Sequence, residues 1–475
     1  MRRTKIIATL GPATDDPEVM QQLLEAGTDV VRVNFSHGDW DEQKRRIATV
    51  RETALKLGRY VAVLGDLQGP KIRIRRFKES PVTLEEGQQF VLDSSLGGEE
   101  GTAEQVGVAY EGLAGDVERG DTLLLDDGHL SLSVEDVQGT RIICKVLVGG
   151  QLANQKGINR QGGGLSAPAL TEKDRADIKL AADAQIDWVA VSFVRNPDDV
   201  NEARKLLRDA GGVGHIVAKI ERSEAVANLE AIIDASDAVM VARGDLGVET
   251  GYAGLTGLQK KIIRMARHRH KVSITATQMM ESMIHSQIPT RAEVSDVANA
   301  VMDGTDAVML SAETAVGEHP VRAIETMAEV CVGAEAYRLI SNRPKRSDKH
   351  FQYVDQAIAM SVMYTANHMD VHAIIALTES GSTALWMSRI RSDIPIYAFS
   401  RHELTLRRIC LYRGVYPVLF DITEKSSEGL YQDIFSRLLS LDQAEEGDLL
   451  IFTKGDMRGV AGGTNAMTIL SVTSQ

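Results

Sequence analysis

Along the first two thirds of the chain, short apolar runs alternate with longer amphipathic stretches. Eight runs read as buried strands: residues 5–10, 29–35, 61–67, 188–194, 215–221, 238–243, 272–277 and 307–311. Between them, segments such as 198–210 and 322–336 carry the three-and-four spacing of a helix with one buried face. Asp15-Asp16-Pro17-Glu18 and Thr290-Arg291-Ala292-Glu293 predict helix N-termini, with an oxygen-bearing cap ahead of an acidic first turn. Strand–helix units of this size build a parallel sheet, and eight of them predict a closed (β/α)8 TIM barrel of the α/β class.

One interval breaks the rhythm. The third and fourth strands start 127 residues apart, roughly 100 more than one strand–helix unit needs. The excess, residues 70–166, is rich in Gly, Val, Leu and Thr and alternates apolar with polar, and Asp127-Gly128 is a hairpin-turn signal. A small inserted β-barrel domain is expected there, with a hinge at its exit over 162–168. Residues 341–349 read as a polar linker. A helix near 354–368 and a strand at 372–377 then open a C-terminal α/β domain. The expected domains are a barrel of 1–69 and 167–340, an insert of 70–166, and a C-terminal domain of 341–475.

The 475 residues and 43% apolar content suit several large cores. The net charge of −13 argues against nucleic-acid or anionic-membrane partners, yet leaves room for a local basic cleft that takes an anionic substrate. The three cysteines, far apart and odd in number, suit neither a disulfide framework nor a zinc site. No run approaches the roughly 20 apolar residues of a membrane span. The segment after Lys5 is too short for a signal-peptide core, so a cytoplasmic protein is expected.

The polar residues that stand out lie at strand ends, where barrel active sites are built. Lys219 and Glu221 are two residues apart and face one side of their strand. Asp245 follows Glu221 by 24 residues, one strand–helix–strand step, so the two carboxylates are placed to share an ion on neighbouring strands. Oxygen ligands suit Mg²⁺ or Mn²⁺, and a lysine beside such a metal suits phosphate. An internal salt-bridge network is the plainer alternative. The glycines of Arg243-Gly244-Asp245-Leu246-Gly247 favour the first reading, because they let backbone N–H groups face an anion. On the second strand Arg32, Asn34 and Ser36 share a face, and Asp66 ends the third. Thr277 ends the seventh, a weak signal by itself. In the C-terminal domain, Thr378, Ser380, Gly381, Ser382 and Thr383 fall between a strand and a helix, which fits either a phosphate site or an ordinary helix cap.

The whole chain resembles pyruvate kinase, most specifically through residues 32–38, 66–73, 216–223, 241–249, 275–283 and 308–314. The resemblance implies phosphoryl transfer from phosphoenolpyruvate to ADP in glycolysis, on a barrel with an inserted lid and an effector-binding C-terminal domain, usually in a homotetramer. It makes Glu221 and Asp245 the ligands of a divalent metal, and Lys219 and Arg32 the cations on the phosphoryl group. It places Gly244, Asp245 and Thr277 at the substrate carboxylate. His37, Arg73 and, from the lid hinge, Lys173 go to the nucleotide side, where a second divalent ion arrives with ADP. The sequence names no proton donor for the enolate.

Two departures from the family pattern matter. Many members have Glu at the position of Lys71 and require K⁺, held by residues matching Asn34, Ser36, Asp66 and the carbonyl of residue 67, which is Leu67 here and commonly Thr there. Lys at position 71 goes with K⁺ independence, so K⁺ is not expected to be required. In the loop 378–383, Ser382 stands where Arg is frequent. A phosphorylated effector, a sugar phosphate or AMP, is therefore expected with its identity open. Two rivals are a metal-dependent lyase or aldolase acting on a 2-oxo acid and a metabolite sensor without catalysis. The first would not need Lys219, Arg32 and Arg73 together, nor a lid, and the second should have lost a metal ligand or the phosphate lysine, all of which are present.

Overall fold

Each apolar run does become a barrel strand: β1 Lys5–Thr9, β2 Val30–Asn34, β3 Ala62–Asp66, β4 Trp188–Val191, β5 His215–Ile220, β6 Ala238–Ala242, β7 Val272–Ala276 and β8 Ala307–Leu310. In this computed structural model, which describes residues 1–339, 351, 353–421, 427–455 and 462–473, the eight close into one barrel in the order β1-β8-β7-β6-β5-β4-β3-β2. The strands stop one to three residues before the apolar runs do. β4 is the clearest case, since the chain leaves the sheet at Ser192 and Phe193 takes a positive φ of 55°.

The N-terminal ends of the strands carry a repeated device. Asp29, Asp187, Asp237 and Asp306 each precede an even-numbered strand. Each carboxylate accepts the backbone N–H of the second residue of the odd-numbered strand before it, from Ile6 (2.9 Å), Val63 (2.9 Å), Ile216 (2.8 Å) and Ser273 (2.8 Å). Each aspartate N–H in turn donates to the carbonyl of that same residue. Buried backbone groups at the barrel floor thereby find partners. Both predicted helix N-termini form: Asp16 caps Pro17–Glu25, and Thr290 with Glu293 makes a capping box for Arg291–Asp303.

By packing, the chain divides into two units, residues 1–65, 186–188 and 266–475 in one and 66–185 and 189–265 in the other. In the second unit, the strands between β3 and β4 form a six-stranded sheet and a two-stranded sheet around one apolar core that includes Phe90, Leu123, Leu132 and Val146. The segment 72–75 bonds to both edges of the six-stranded sheet, Ile158 N–H to the Ile72 carbonyl at 2.9 Å on one side and Ala109 N–H to the Arg73 carbonyl at 3.0 Å on the other, and so closes it into the expected small β-barrel. The predicted hairpin joins Thr122–Leu125 to Leu130–Gln138, with Asp126, Asp127 and Gly128 all at positive φ.

In the first unit, the C-terminal domain is a five-stranded sheet in the order Val415–Leu419, Ile396–Ser400, Ala373–Leu377, Leu449–Lys454, Ala466–Ser471, with only the last strand antiparallel. Its arginines reach two of the floor aspartates: Arg407 Nε donates to Asp187 at 2.9 Å and Arg389 Nη1 to Asp306 at 2.8 Å. The linker expected over 341–349 lies outside the described residues. No helix among the described residues is long and apolar enough to cross a membrane.

Candidate active site

The second unit holds a buried polar cluster. β5 is apolar at Ile216, Val217, Ala218 and Ile220, so burial pins the strand and Lys219 is carried inward with it. Lys219 Nζ lies 3.0 Å from Glu221 Oε1 and 3.3 Å from Asp66 Oδ1, and it donates to Ser192 Oγ at 2.7 Å. Glu221 and Asp66 are only 2% and 1% exposed. The other Glu221 oxygen accepts the Phe193 N–H at 2.8 Å. Burial raises the pKa of Glu221, and the nearby charges of Asp245 and Asp66 push the same way while Lys219 opposes them. A second cation close to Glu221 would favour its ionised form.

Asp245 stands in the first turn of the helix Arg243–Thr250, directly after β6. The segment 243–247 is thus a helix start. Lys71 Nζ lies 3.1 Å from Asp245 Oδ1 and 3.8 Å from Asp127 Oδ1. The structure therefore sets Lys71 against Asp245. Leu67 is buried, and its carbonyl accepts the Ser192 hydroxyl at 2.7 Å. Arg73 donates to the Gln155 carbonyl at 2.9 Å. Lys173 lies on the first turn of the helix Glu172–Asp183, beyond the connecting segment, and reaches Asp177 at 2.6 Å.

The exit segment of the inserted domain is tied down. Gly162 N–H donates to the Glu249 carbonyl at 3.1 Å, and Gly164 N–H to Glu224 Oε1 at 2.6 Å. The Glu249 carboxylate accepts the Ser223 N–H at 2.9 Å, and burial pushes its pKa up to about 7.

In the first unit, Arg32 Nη1 donates to Thr9 Oγ1 at 3.2 Å. Asn34 Oδ1 accepts the Ser36 N–H at 3.1 Å and Asn34 O the His37 N–H at 3.3 Å, a side-chain-supported turn at the end of β2. Thr277 and Gln278, just past β7, have φ of 67° and 53°. A β-branched residue there is strained by about 1–3 kcal/mol. The buried Glu313 holds the neighbouring backbone, accepting N–H groups of Met280 (3.2 Å) and Ser311 (2.6 Å). In the C-terminal domain, Thr378 Oγ1 accepts the Gly381 N–H at 2.9 Å, Ser380 donates to Ser382 at 3.2 Å, and the buried Thr383 bonds Thr464 at 2.6 Å. Gly381 has a φ of 86°, and a Cβ there would meet Ile409 at 2.8 Å.

A family model described as the pyruvate kinase barrel domain matches residues 1–324, and one described as the pyruvate kinase alpha/beta domain matches 356–470. The chain belongs to the pyruvate kinase family. It is 55% identical to pyruvate kinase II of Salmonella typhimurium over 476 residues, 99% of each chain. It is 51% identical to a pyruvate kinase of Haemophilus influenzae over 459 residues, 96% of each. Among solved structures, a pyruvate kinase from Cryptosporidium parvum superposes with a TM-score of 0.90 at 33% identity, covering 99% of this chain and 96% of that one. Relatives this close over the full length make the chain an enzyme with pyruvate kinase activity. For a pyruvate kinase, the residue that the sequence reading passes over is Ser192. It follows an apolar strand and carries no motif, yet its hydroxyl joins Lys219, Asp66 and the Leu67 carbonyl.

Proposed function

We propose that this enzyme transfers the phosphoryl group of phosphoenolpyruvate to ADP, with Lys219 and a divalent metal on Glu221 and Asp245 at the centre of the reaction. The bond from phosphorus to the enol oxygen breaks, and a bond to a terminal oxygen of the ADP β-phosphate forms. The enolate gains a proton at its methylene carbon and leaves as pyruvate. The observation that carries this reading is the Lys219 ammonium held between Glu221, Asp66 and Ser192. An ammonium so clamped is preorganised to meet charge on the equatorial phosphoryl oxygens.

The donor set fits Mg²⁺ or Mn²⁺. Among the described residues no group of three or more His, Cys, Asp or Glu is placed to hold a metal, whereas Glu221 and Asp245 supply two carboxylates. One or two carboxylates, completed by water and substrate oxygens, is how Mg²⁺ is usually bound. When bound, the metal supplies positive charge to the substrate's phosphoryl and carboxylate oxygens. Arg32 adds a second fixed cation for the phosphate. The first-turn N–H groups of Gly244 and Asp245, with Thr277, receive the substrate carboxylate. His37, Arg73 and Lys173 serve the nucleotide, and the insert of 70–166 closes as a lid over the barrel of 1–69 and 167–340. The domain of 341–475 takes a phosphorylated effector through Thr378, Ser380, Gly381, Ser382 and Thr383, within a cytoplasmic homotetramer.

K⁺ is not required in this reading. Lys71 brings a permanent positive charge to Asp245, and the hydrogen bond from Ser192 satisfies the Leu67 carbonyl that would otherwise face a monovalent ion. The test is pyruvate formation from phosphoenolpyruvate and ADP with Mg²⁺ in a buffer free of K⁺, Na⁺ and NH₄⁺, then with K⁺ added. Full activity in both is expected. Activity only with K⁺ removes the role given to Lys71, and none in either removes the substrate assignment.

Ser192→Ala is expected to lower kcat about 10- to 100-fold with little change in KM, the size of one hydrogen bond to a charged group. Ser192→Thr, which keeps the hydroxyl, restores most of it. An alanine variant with unchanged kcat shows that Lys219 needs no hydroxyl to hold it.

A further inference from the structure

The segment by which the chain leaves the insert, residues 162–166, crosses the C-terminal ends of three neighbouring strands. Gly162 N–H donates to the carbonyl of Glu249, in the helix after β6, at 3.1 Å. Gly164 N–H donates to Glu224 Oε1 at 2.6 Å, and Arg222 Nη2 donates to the Leu165 carbonyl at 2.6 Å; both side chains follow β5. Arg195, which follows β4, donates from Nη1 to the Ser166 carbonyl at 3.0 Å. The same segment also belongs to the insert. Leu165 and Ala167 sit in the insert's apolar core, and Ser166 is tied to Asp116 (N–H to Oδ2, 2.8 Å) and to the Tyr110 hydroxyl (3.0 Å). A shift of the insert against the strand ends therefore strains these bonds.

An arginine and a carboxylate side by side commonly close as a two-bond fork. Here the pair makes a single contact, Arg222 Nη2 to Glu224 Oε1 at 3.0 Å. Those same two atoms hold the exit segment, while Arg222 Nε and Glu224 Oε2 are buried with no hydrogen-bond partner among the described residues. The pair thus forgoes its own second bond and turns its bonded atoms to an N–H and a carbonyl of consecutive residues. Gly163 makes room for this: its φ is 83°, and a Cβ there would meet Glu224 Oε2 at 2.8 Å. Arg222 is only 3% exposed, so its charge depends on these partners.

We propose that Arg222 and Glu224 are positioning residues that clamp the exit segment and so fix where the insert stands over the strand ends. Arg222 directly follows Glu221, so the clamp anchors the insert to the stretch of chain that carries a proposed metal ligand. The consequence for the nucleotide rests on the reading of the insert as a lid.

The experiment is amide hydrogen exchange of the full chain, read by mass spectrometry, beside steady-state kinetics. In Glu224→Ala the amides of 162–166 are expected to exchange about tenfold faster than in wild type, while those of β5 keep the wild-type rate. KM for ADP is expected to rise about threefold or more with kcat within about twofold, because a lid that is no longer held must be ordered when the nucleotide binds. Glu224→Gln, which keeps an oxygen for the Gly164 N–H, is expected to restore most of both. Gly163→Ala, which removes no charge, is expected to act as Glu224→Ala does, and it keeps the test valid if that variant folds poorly. Unchanged exchange of 162–166 in both variants overturns the proposal. So does a rise shared by β5, the mark of general destabilisation. A local rise with an unchanged KM for ADP keeps the clamp and removes the lid reading.

Discussion

Lys219→Met is expected to reduce kcat by about 10²–10³-fold or more, with the affinity for phosphoenolpyruvate and Mg²⁺ close to wild type. Methionine keeps the length and the apolar stem of lysine, so β5 still packs among Val217, Ala218 and Ile220. What is lost is the ammonium between Glu221, Asp66 and Ser192. Ground-state binding survives because Arg32 and the metal hold the substrate in this reading. The transition state suffers because its spreading negative charge has lost a preorganised partner. Steady-state kinetics with a separate measurement of substrate binding checks both halves. Near-normal turnover would falsify the role given to Lys219, and an equal loss of binding would move that role to the ground state.

Arg389→Ala is expected to destabilise the chain by about 3–5 kcal/mol, the usual cost of leaving one partner of a buried ion pair alone. The side chains of Arg389 and Asp306 are 3% and 4% exposed. Arg389 Nη1 also donates to the Lys271 carbonyl at 2.7 Å, so the substitution frees a second buried acceptor. Asp306 cannot turn to solvent, because it still holds Ser273 of β7. The measurement is the denaturant midpoint of the variant against wild type. Asp306→Leu combined with Arg389→Met should recover part of the loss, since an apolar pair leaves no charge unpaired. A midpoint unchanged in Arg389→Ala means the pair adds nothing to the junction.

The barrel was legible because it is written in local pattern. Buried parallel strands read as continuous apolar runs, and caps such as Thr290 with Glu293 signal a helix start within four residues. The ends of the strands were less legible. Residues 192–194 remain apolar or small after the sheet has ended, and the turn at Phe193 leaves no mark in hydropathy. The site divides in the same way. Lys219, Glu221 and Asp245 announce themselves as charges at the ends of apolar strands. Ser192 does not, since one serine after a strand is common, and its meaning depends on three partners, two of them over 120 residues distant. The partner of Lys71 was also out of reach. The pairing with Asp245 joins residues 174 positions apart and depends on where the inserted domain begins.

The sequence alone determined the eight strand–helix units, the inserted and C-terminal domains, and the charged residues at the strand ends, because periodicity and side-chain chemistry are local properties. Tertiary structure decided the rest. It set Lys71 against Asp245, locked the Ser192 hydroxyl between Lys219 and Leu67, gave the four floor aspartates their common task and laid the exit segment 162–166 across three strand ends. Such pairings join distant positions, and only the packing of buried faces brings them within hydrogen-bond reach.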